Sequence, residues 1–185
     1  MRTKISDFTL FMAALGTLAA FRWIRAGSLP ETGLSAAFFL FLYAAGRIDL
    51  RTGRLPDWCA LTAFFLGALS LLFCSEPALY TRLAGIFAVS LPLFLICLLK
   101  PGAFGGGDIK LMAGCGFFLG AETVWLSFLI AVSAGGIWAL FLLLTGRADR
   151  KTRFPFGPFL CAGMALALVF KFHEFICKIP FSVFL

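Results

Sequence analysis

Two aspartates stand where apolar stretches of this chain meet polar ones. Asp108 follows the glycine triplet at residues 105–107 and precedes a long apolar run. Asp49 lies upstream, in a polar segment at residues 47–57 that also carries three arginines. An ionisable group at the edge of an apolar segment is costly to keep, so such a residue is a functional candidate by default. We therefore predict that the two acids act together.

Two carboxyl groups held close together predict the chemistry of an aspartic protease. Close carboxylates do not both ionise easily, so one keeps its proton while the other is charged. The charged group activates water, and the protonated group stabilises the oxyanion that develops on the scissile carbonyl. The sequence assigns neither role. Two structural alternatives stay open: Asp108 as the N-cap of the next helix, and Asp49 in an ion pair with Arg47, Arg51 or Arg54.

The residues around Asp108 predict contacts with a substrate. Glycine has no side chain to keep another backbone away, so Gly105, Gly106 and Gly107 would let an extended peptide lie against this turn. Lys110 is predicted to contact a substrate acid or a phosphate. The alternative for Lys110 is that its ammonium group snorkels to the lipid headgroups.

The composition is that of a polytopic membrane protein. Of 185 residues, 61% are hydrophobic and 14% are charged, far outside the range of soluble domains. The net charge of +7 comes from basic residues in short loops between apolar runs, where they act as orientation signals, so nucleic-acid binding is not predicted. The lipid bilayer is the predicted environment. The six cysteines form no C-x-x-C pair and the single histidine stands alone, so no metal and no organic cofactor are expected.

Seven apolar runs predict an all-α transmembrane helical bundle. The runs cover residues 8–23, 34–45, 58–72, 83–99, 109–119, 124–144 and 155–172. We interpret residues 1–185 as a single transmembrane domain with a six-helix core at 34–172. Residues 8–23 are interpreted as an extra N-terminal helix that is retained, because bulky and basic residues follow it where a cleavable signal needs small ones.

Both acids are expected at the ends of these helices. The run at 34–45 is short for a membrane span unless its helix continues through Ile48 to Asp49, and otherwise Asp49 lies in a loop. Asp57 is expected to be the N-cap of the helix at 58–72, and Pro92 to kink the helix at 83–99. Two helices separate Asp49 from Asp108, so both acids face the same side of the membrane. That side is the one richest in basic residues, which predicts that it is cytosolic.

Three stretches resemble the type IV prepilin peptidases, which are membrane aspartic proteases of the GxGD class. Residues 105–110 reproduce the GxGDxK signature. Asp49, with Arg54-Leu55-Pro56 downstream, resembles the first aspartate of the family, although Asp57 stands where asparagine is usual. Residues 155–159, with the sequence PFGPF, resemble the proline-framed start of the family's last helix.

The resemblance implies an endopeptidase that removes the short basic leader of type IV prepilins or pseudopilins at the cytosolic face of the inner or plasma membrane. Asp49 and Asp108 are then the catalytic pair, and the glycine triplet shapes the loop that admits the substrate. Bifunctional members also methylate the new amino terminus and carry a domain with paired C-x-x-C motifs. Neither the domain nor the motifs occur here, so the resemblance is to the short, peptidase-only members. No S-adenosylmethionine is implied, and no oligomeric state is predicted.

Two other classes of function fit a pair of acids at a membrane boundary. A small transporter would use Asp49 and Asp108 to bind protons or cations. A noncatalytic assembly factor in a pilus or secretion machine would tolerate the loss of either acid. Within the protease class, a presenilin-like enzyme that cuts inside helices is disfavoured by the basic residues and proline that follow Asp49.

Overall fold

The computed structural model describes residues 29–73, 77–101, 104–146 and 155–177, together with Gly16, and for residues 170–177 it describes the backbone alone. The predicted N-terminal helix at 8–23 lies outside the described residues apart from Gly16. All regular secondary structure in the described segments is α-helical, which confirms the predicted fold class. The helices are α1 (Leu29–Thr52), α2 (Asp57–Phe73), α3 (Leu79–Ala88), α4 (Ser90–Leu99), α5 (Gly106–Leu119), α6 (Ala121–Leu144) and α7 (Gly157–Cys177).

Three helical segments among the described residues are long and apolar enough to cross a membrane. They are Pro30–Thr52 in α1, Leu79–Leu99 across α3 and α4, and Ala121–Leu144 in α6. Asp57–Phe73 and Gly157–Val169 are shorter apolar helices. Large apolar side chains are exposed along α4 and α6, as a surface in contact with lipid requires. The chain is therefore a helical membrane protein, as its composition predicts.

Helix α1 is longer than its apolar run. The run ends at residue 45, but the helix continues to Thr52, so the alternative that it extends through Ile48 to Asp49 is confirmed and Asp49 does not lie in a loop. The helix ends at Gly53, which has a φ of 64° and donates its backbone N–H to the Asp49 carbonyl at 2.8 Å. Glycine adopts this left-handed conformation without strain and is the common residue just after a helix. Asp49 therefore has the rigidity of a helical residue.

Helix α5 begins inside the glycine triplet. Its N-cap is Gly105, whose carbonyl accepts the backbone N–H of Asp108 at 3.0 Å. Gly106, Gly107 and Asp108 form the first helical turn, so the loop expected at these residues ends at Gly105. The alternative that Asp108 is an N-cap is wrong, because it lies three residues inside the cap. Helix α2 likewise begins at Asp57 itself.

The predicted kink at Pro92 appears as a break between α3 and α4 at Val89. Proline has no backbone N–H, so Pro92 cannot bond to the carbonyl of Ala88 four residues before it. Ladder bonding resumes at Leu93, which donates to the Val89 carbonyl at 3.2 Å.

Helix α5 lies among the other helices of the described bundle and packs against α2, α3, α4 and α6. Glycines allow the backbones to approach closely. A Cβ on Gly114 would lie 2.5 Å from the carbonyl oxygen of Ala60 in α2, and a Cβ on Gly116 would overlap the carbonyl of Gly85 in α3. Small residues at such contacts are typical of helices that associate in a membrane. Helix α7 packs against α6 and α1, which brings the start of α7 to the end of α1.

Candidate active site

Asp49 lies in the last turn of α1 and is 4% exposed. Its Oδ2 accepts a hydrogen bond of 3.0 Å from the backbone N–H of Gly157, the first residue of α7. Among the described residues Asp49 forms no salt bridge, so the ion-pair alternative is not observed. Arg47 instead donates to the hydroxyl of Tyr43 at 3.1 Å. The carboxyl group of Asp49 is thus buried and is held by a backbone amide.

Asp108 lies in the first turn of α5, outside the three candidate spans, and is half-buried. The pKa of Asp108 is raised to about 6, first by burial and then by the negative charge of Asp49. A hydrogen bond from the Gly105 backbone lowers this pKa in part. A carboxyl with a pKa close to neutrality can take up and release a proton under physiological conditions, as a general acid or base must.

The two acids lie at the same depth in the bundle. Phe38 of α1 stacks on Phe118 of α5, with 4.0 Å between the ring centroids. Asp49 follows Phe38 by eleven residues and Asp108 precedes Phe118 by ten. At about 1.5 Å of rise per residue, Asp49 lies ~16–17 Å and Asp108 ~15 Å from the stacked rings. Since the charge of Asp49 acts on Asp108, and Cys161 of α7 interacts electrostatically with both, the acids lie on the same side of the rings.

The three glycines have different surroundings. A Cβ on Gly107 would lie 2.5 Å from the carbonyl oxygen of Leu55, so this glycine packs directly against the turn between α1 and α2. A Cβ on Gly105 would lie 3.0 Å from Oδ2 of Asp108. A Cβ on Gly106 would meet nothing within 4 Å, and both Gly105 and Gly106 are exposed. Gly105 and Gly106 therefore form the exposed mouth of the site, whereas Gly107 is covered by Leu55.

Lys110 forms an ion pair with Asp57, with 2.7 Å between Nζ and Oδ1. Their side chains are 57% and 72% exposed, respectively, so the pair joins α5 to α2 at the surface. The sequence predicts a substrate acid, a phosphate or the lipid headgroups as partners of Lys110, and a role as helix N-cap for Asp57. Contact of Lys110 with a substrate stays a prediction.

Two aromatic residues join the segments that hold the acids. Phe104 comes directly before the glycine triplet and Phe156 directly before Gly157, and their ring centroids lie 6.0 Å apart. The motif at residues 155–159 marks the start of a helix in the sequence. Nothing local in that motif indicates contact with Asp49, because the two segments are more than 100 residues apart.

Curated proteins of similar sequence cover much of the chain. It is 38% identical over 179 residues to a prepilin leader peptidase/N-methyltransferase of Burkholderia pseudomallei strain 1026b, a match that covers 91% of this chain and 57% of that protein. A prepilin leader peptidase/N-methyltransferase of Bacillus subtilis is 32% identical, over 80% of this chain and 59% of that protein. The leader peptidase HopD of Escherichia coli is 34% identical, over 67% of this chain and 87% of HopD.

The chain thus spans less than three fifths of the length of the Burkholderia and Bacillus proteins. No solved structure matches it. The sequence profile of the type IV leader peptidase family matches residues 36–140, which is more than half of the chain and includes both acids. The chain therefore belongs to the type IV leader peptidase family.

Proposed function

We propose that this member of the type IV leader peptidase family is an aspartic endopeptidase that cleaves the short basic leader of type IV prepilins or pseudopilins. The observation that carries the proposal is the acid pair. Asp49 is buried at the end of α1, and its charge helps to raise the pKa of Asp108 to about 6. The relatives named prepilin leader peptidase/N-methyltransferase and leader peptidase support the substrate class.

In the proposed reaction one carboxylate takes a proton from a water molecule as the water oxygen bonds to the scissile carbonyl carbon. The other carboxyl gives its proton to the carbonyl oxygen, which forms a tetrahedral diol. When the carbon–nitrogen bond breaks, the first carboxyl gives its proton to the leaving nitrogen and the second recovers a proton from the diol. One water molecule is consumed and both carboxyls return to their starting states. The two acids titrate as a pair with shared apparent pKa values.

The mouth of the site suits an extended peptide. Gly105 and Gly106 are exposed and carry no side chain, so a substrate backbone can lie against them. Gly107 positions the start of α5 on Leu55 and thereby places Asp108. Lys110 can contact a substrate acid once it leaves Asp57, which is an exposed and therefore weak partner.

The end of the bundle that holds the acids is proposed to face the cytosol, with the protein in the inner or plasma membrane. Within the part of the chain that the structure describes, four exposed basic residues occur at this end: Arg51, Arg54, Lys100 and Lys110. Cytoplasmic loops of membrane proteins carry an excess of such residues. This orientation places the acids on the side where a prepilin leader stays after its apolar helix has entered the membrane.

Leader cleavage with isosteric variants tests the proposal. Prepilins with short basic leaders are co-expressed with wild type, Asp49→Asn or Asp108→Asn at matched membrane levels, and cleavage is followed by mass spectrometry. Asparagine keeps the side-chain size but cannot titrate, so both variants are expected to leave the leader uncut. Asp57→Asn is the matched control, because Asp57 is exposed at the same end of the bundle. Cleavage that survives either Asp49→Asn or Asp108→Asn would refute the aspartic mechanism.

A further inference from the structure

The start of α7 lies directly against Asp49. The Gly157 N–H donates to Asp49 Oδ2 at 3.0 Å, and the two residues are 108 positions apart in the chain. The contact is buried. A segment that the reaction does not use directly therefore holds one of the two proposed catalytic acids.

The first turn of α7 has one backbone donor directed at another segment. The first N–H groups of a helix lack partners within the helix. Pro158 has no N–H, whereas Phe159 and Leu160 donate to the carbonyl of Phe156 at 3.0 and 3.2 Å. The N–H of Gly157 completes the turn by bonding to Asp49. The positive end of the helix dipole adds to this bond, and both favour an anion.

Position 157 also sets how closely α7 approaches the acid. A Cβ on Gly157 would lie 2.6 Å from Oδ2, 2.8 Å from Cγ and 3.0 Å from Cβ of Asp49. These separations are shorter than ordinary contacts, so a larger residue would displace the carboxylate, the helix end or both. The contact requires glycine for this close approach rather than for an unusual backbone conformation.

Asp108 has a different environment. It is half-buried, and its pKa is raised to about 6 by burial and by the charge of Asp49. Its backbone partner, Gly105, belongs to its own turn. Burial disfavours the charged form of both acids. At Asp49 the Gly157 donor on a second helix offsets this cost in part, whereas at Asp108 the charge of Asp49 adds to it, so the difference between the two acids favours charge on Asp49 and a proton on Asp108.

We propose that Gly157 is a positioning residue that holds Asp49 as the ionised carboxylate, so that Asp49 is the general base and Asp108 the acid that donates to the scissile carbonyl. The proposal rests on the proposed peptidase function and deepens it by assigning the two roles. In the reaction above, Asp49 takes the proton of water and later gives it to the leaving nitrogen. Asp108 protonates the carbonyl oxygen and is reprotonated when the diol collapses.

Other charged and titratable groups surround Asp49 and contribute to any pH profile. Those on the described parts of α1, α2, α5 and α7, and on the turn between α1 and α2, near this end of the bundle are Arg47, Arg51, Arg54, Asp57, Cys59, Asp108, Lys110, Cys115 and Cys161. Asp57 and Lys110 pair with each other at the surface. Asp108 and Cys161 are the groups that interact electrostatically with Asp49. Both groups are unchanged in the two Gly157 variants designed below, so a shift between wild type and those variants reports on Gly157.

The test is the pH dependence of kcat/KM for prepilin cleavage by the purified full chain in lipid nanodiscs. Gly157 is replaced by glycolic acid in cell-free synthesis. This replacement exchanges the backbone N–H for an ester oxygen and leaves the rest of the residue unchanged. Loss of a donor to the charged form is expected to move the acidic limb of the profile upward by ~0.5–1 pH unit and to leave the alkaline limb in place. An unmoved acidic limb, or a shift of the alkaline limb alone, would overturn the proposal.

Gly157→Ala tests whether the close approach of α7 to Asp49 matters for catalysis. We expect a loss of ~100-fold in kcat with little change in KM, because the carboxylate moves while the substrate surface does not. Gly136→Ala is the matched control, since a Cβ there meets nothing within 4 Å and the residue also lies in a helix. Equal activity of Gly157→Ala and Gly136→Ala contradicts the positioning role.

Infrared titration of the side-chain carboxyls gives a readout that needs no substrate. The infrared signal of the carboxyl that keeps its proton to the higher pH is expected to be absent in Asp108→Asn. The apparent pKa of the carboxyl that titrates at lower pH is expected to rise in the ester variant. If the carboxyl that titrates at higher pH vanishes in Asp49→Asn instead, the assignment of roles is wrong. If wild type cleaves no prepilin, the proposed function fails, yet the infrared titration still decides which acid holds the proton.

Discussion

Gly106 and Gly107 are neighbours in the glycine triplet, yet only one of them packs against another segment. Alanine at position 107 would place its Cβ 2.5 Å from the carbonyl oxygen and 2.9 Å from the Cβ of Leu55, whereas at position 106 nothing lies within 4 Å. Both positions lie in the first turn of α5, so both substitutions gain a similar helix propensity. A difference between Gly107→Ala and Gly106→Ala therefore reports on the contact with Leu55.

The size of the effect follows from the displacement. Carbon and carbonyl oxygen come into ordinary contact at ~3.3 Å, so Gly107→Ala must separate the two segments by ~0.8 Å. Strain of this kind costs about 1–3 kcal/mol of folding free energy. Asp108 is the next residue and moves with the backbone, and a displacement of ~1 Å at a catalytic group lowers the rate by ~100-fold. We expect Gly107→Ala to lower kcat by ~30- to 100-fold. Gly106→Ala meets no protein atom but lies on the proposed substrate surface, so we expect it to raise KM and to leave kcat within ~3-fold of wild type.

The assay compares both variants with wild type in the same lipid nanodiscs, following prepilin cleavage at several substrate concentrations. Thermal unfolding of each preparation separates loss of folded protein from loss of catalysis. Equal kcat values of the two variants would refute the inference that the Leu55 contact places Asp108. A larger loss of kcat in Gly106→Ala than in Gly107→Ala would show that close approach of the substrate, rather than packing on Leu55, determines which side chains this turn accepts.

Three further predictions concern stability. Because the pKa of Asp108 is raised from 3.8 to about 6 in the folded chain, the stability it contributes is fully present below the unfolded value and lost as the pH rises through about 6. Calorimetry should therefore find Asp108→Asn more stable than wild type at about pH 7 and nearly equal to it at about pH 4. Lys110→Gln breaks only an exposed ion pair with Asp57, so chemical unfolding should change by less than ~1 kcal/mol. Gly116→Ala forces a Cβ into a backbone carbonyl of α3 and should cost about 1–3 kcal/mol, whereas Gly136→Ala, which meets open space, should leave the unfolding midpoint unchanged.

Several features of the fold could be predicted from local sequence. The apolar runs at 58–72 and 124–144 correspond closely to α2 and α6. An uninterrupted apolar segment in a membrane must satisfy its backbone hydrogen bonds internally, and a helix does so. Pro92 predicted the break near Val89, since the lost N–H is a property of the residue itself. The end of α1 was predicted less well. The sequence predicts a helix that extends at most to Asp49 and a loop from Arg51 onward, although the helix propensity of arginine is high enough to continue the helix to Gly53.

Residue types alone identified the two acids and placed them at one end of the bundle. An acid is costly beside apolar segments, and counting the helices between Asp49 and Asp108 fixes their common side. What surrounds each acid was decided by the tertiary structure. The donor to Asp49 comes from Gly157, and the contact that distinguishes Gly107 from Gly106 comes from Leu55. Such contacts depend on how helices distant in sequence pack, and packing distances of a few tenths of an ångström leave no local pattern in a sequence.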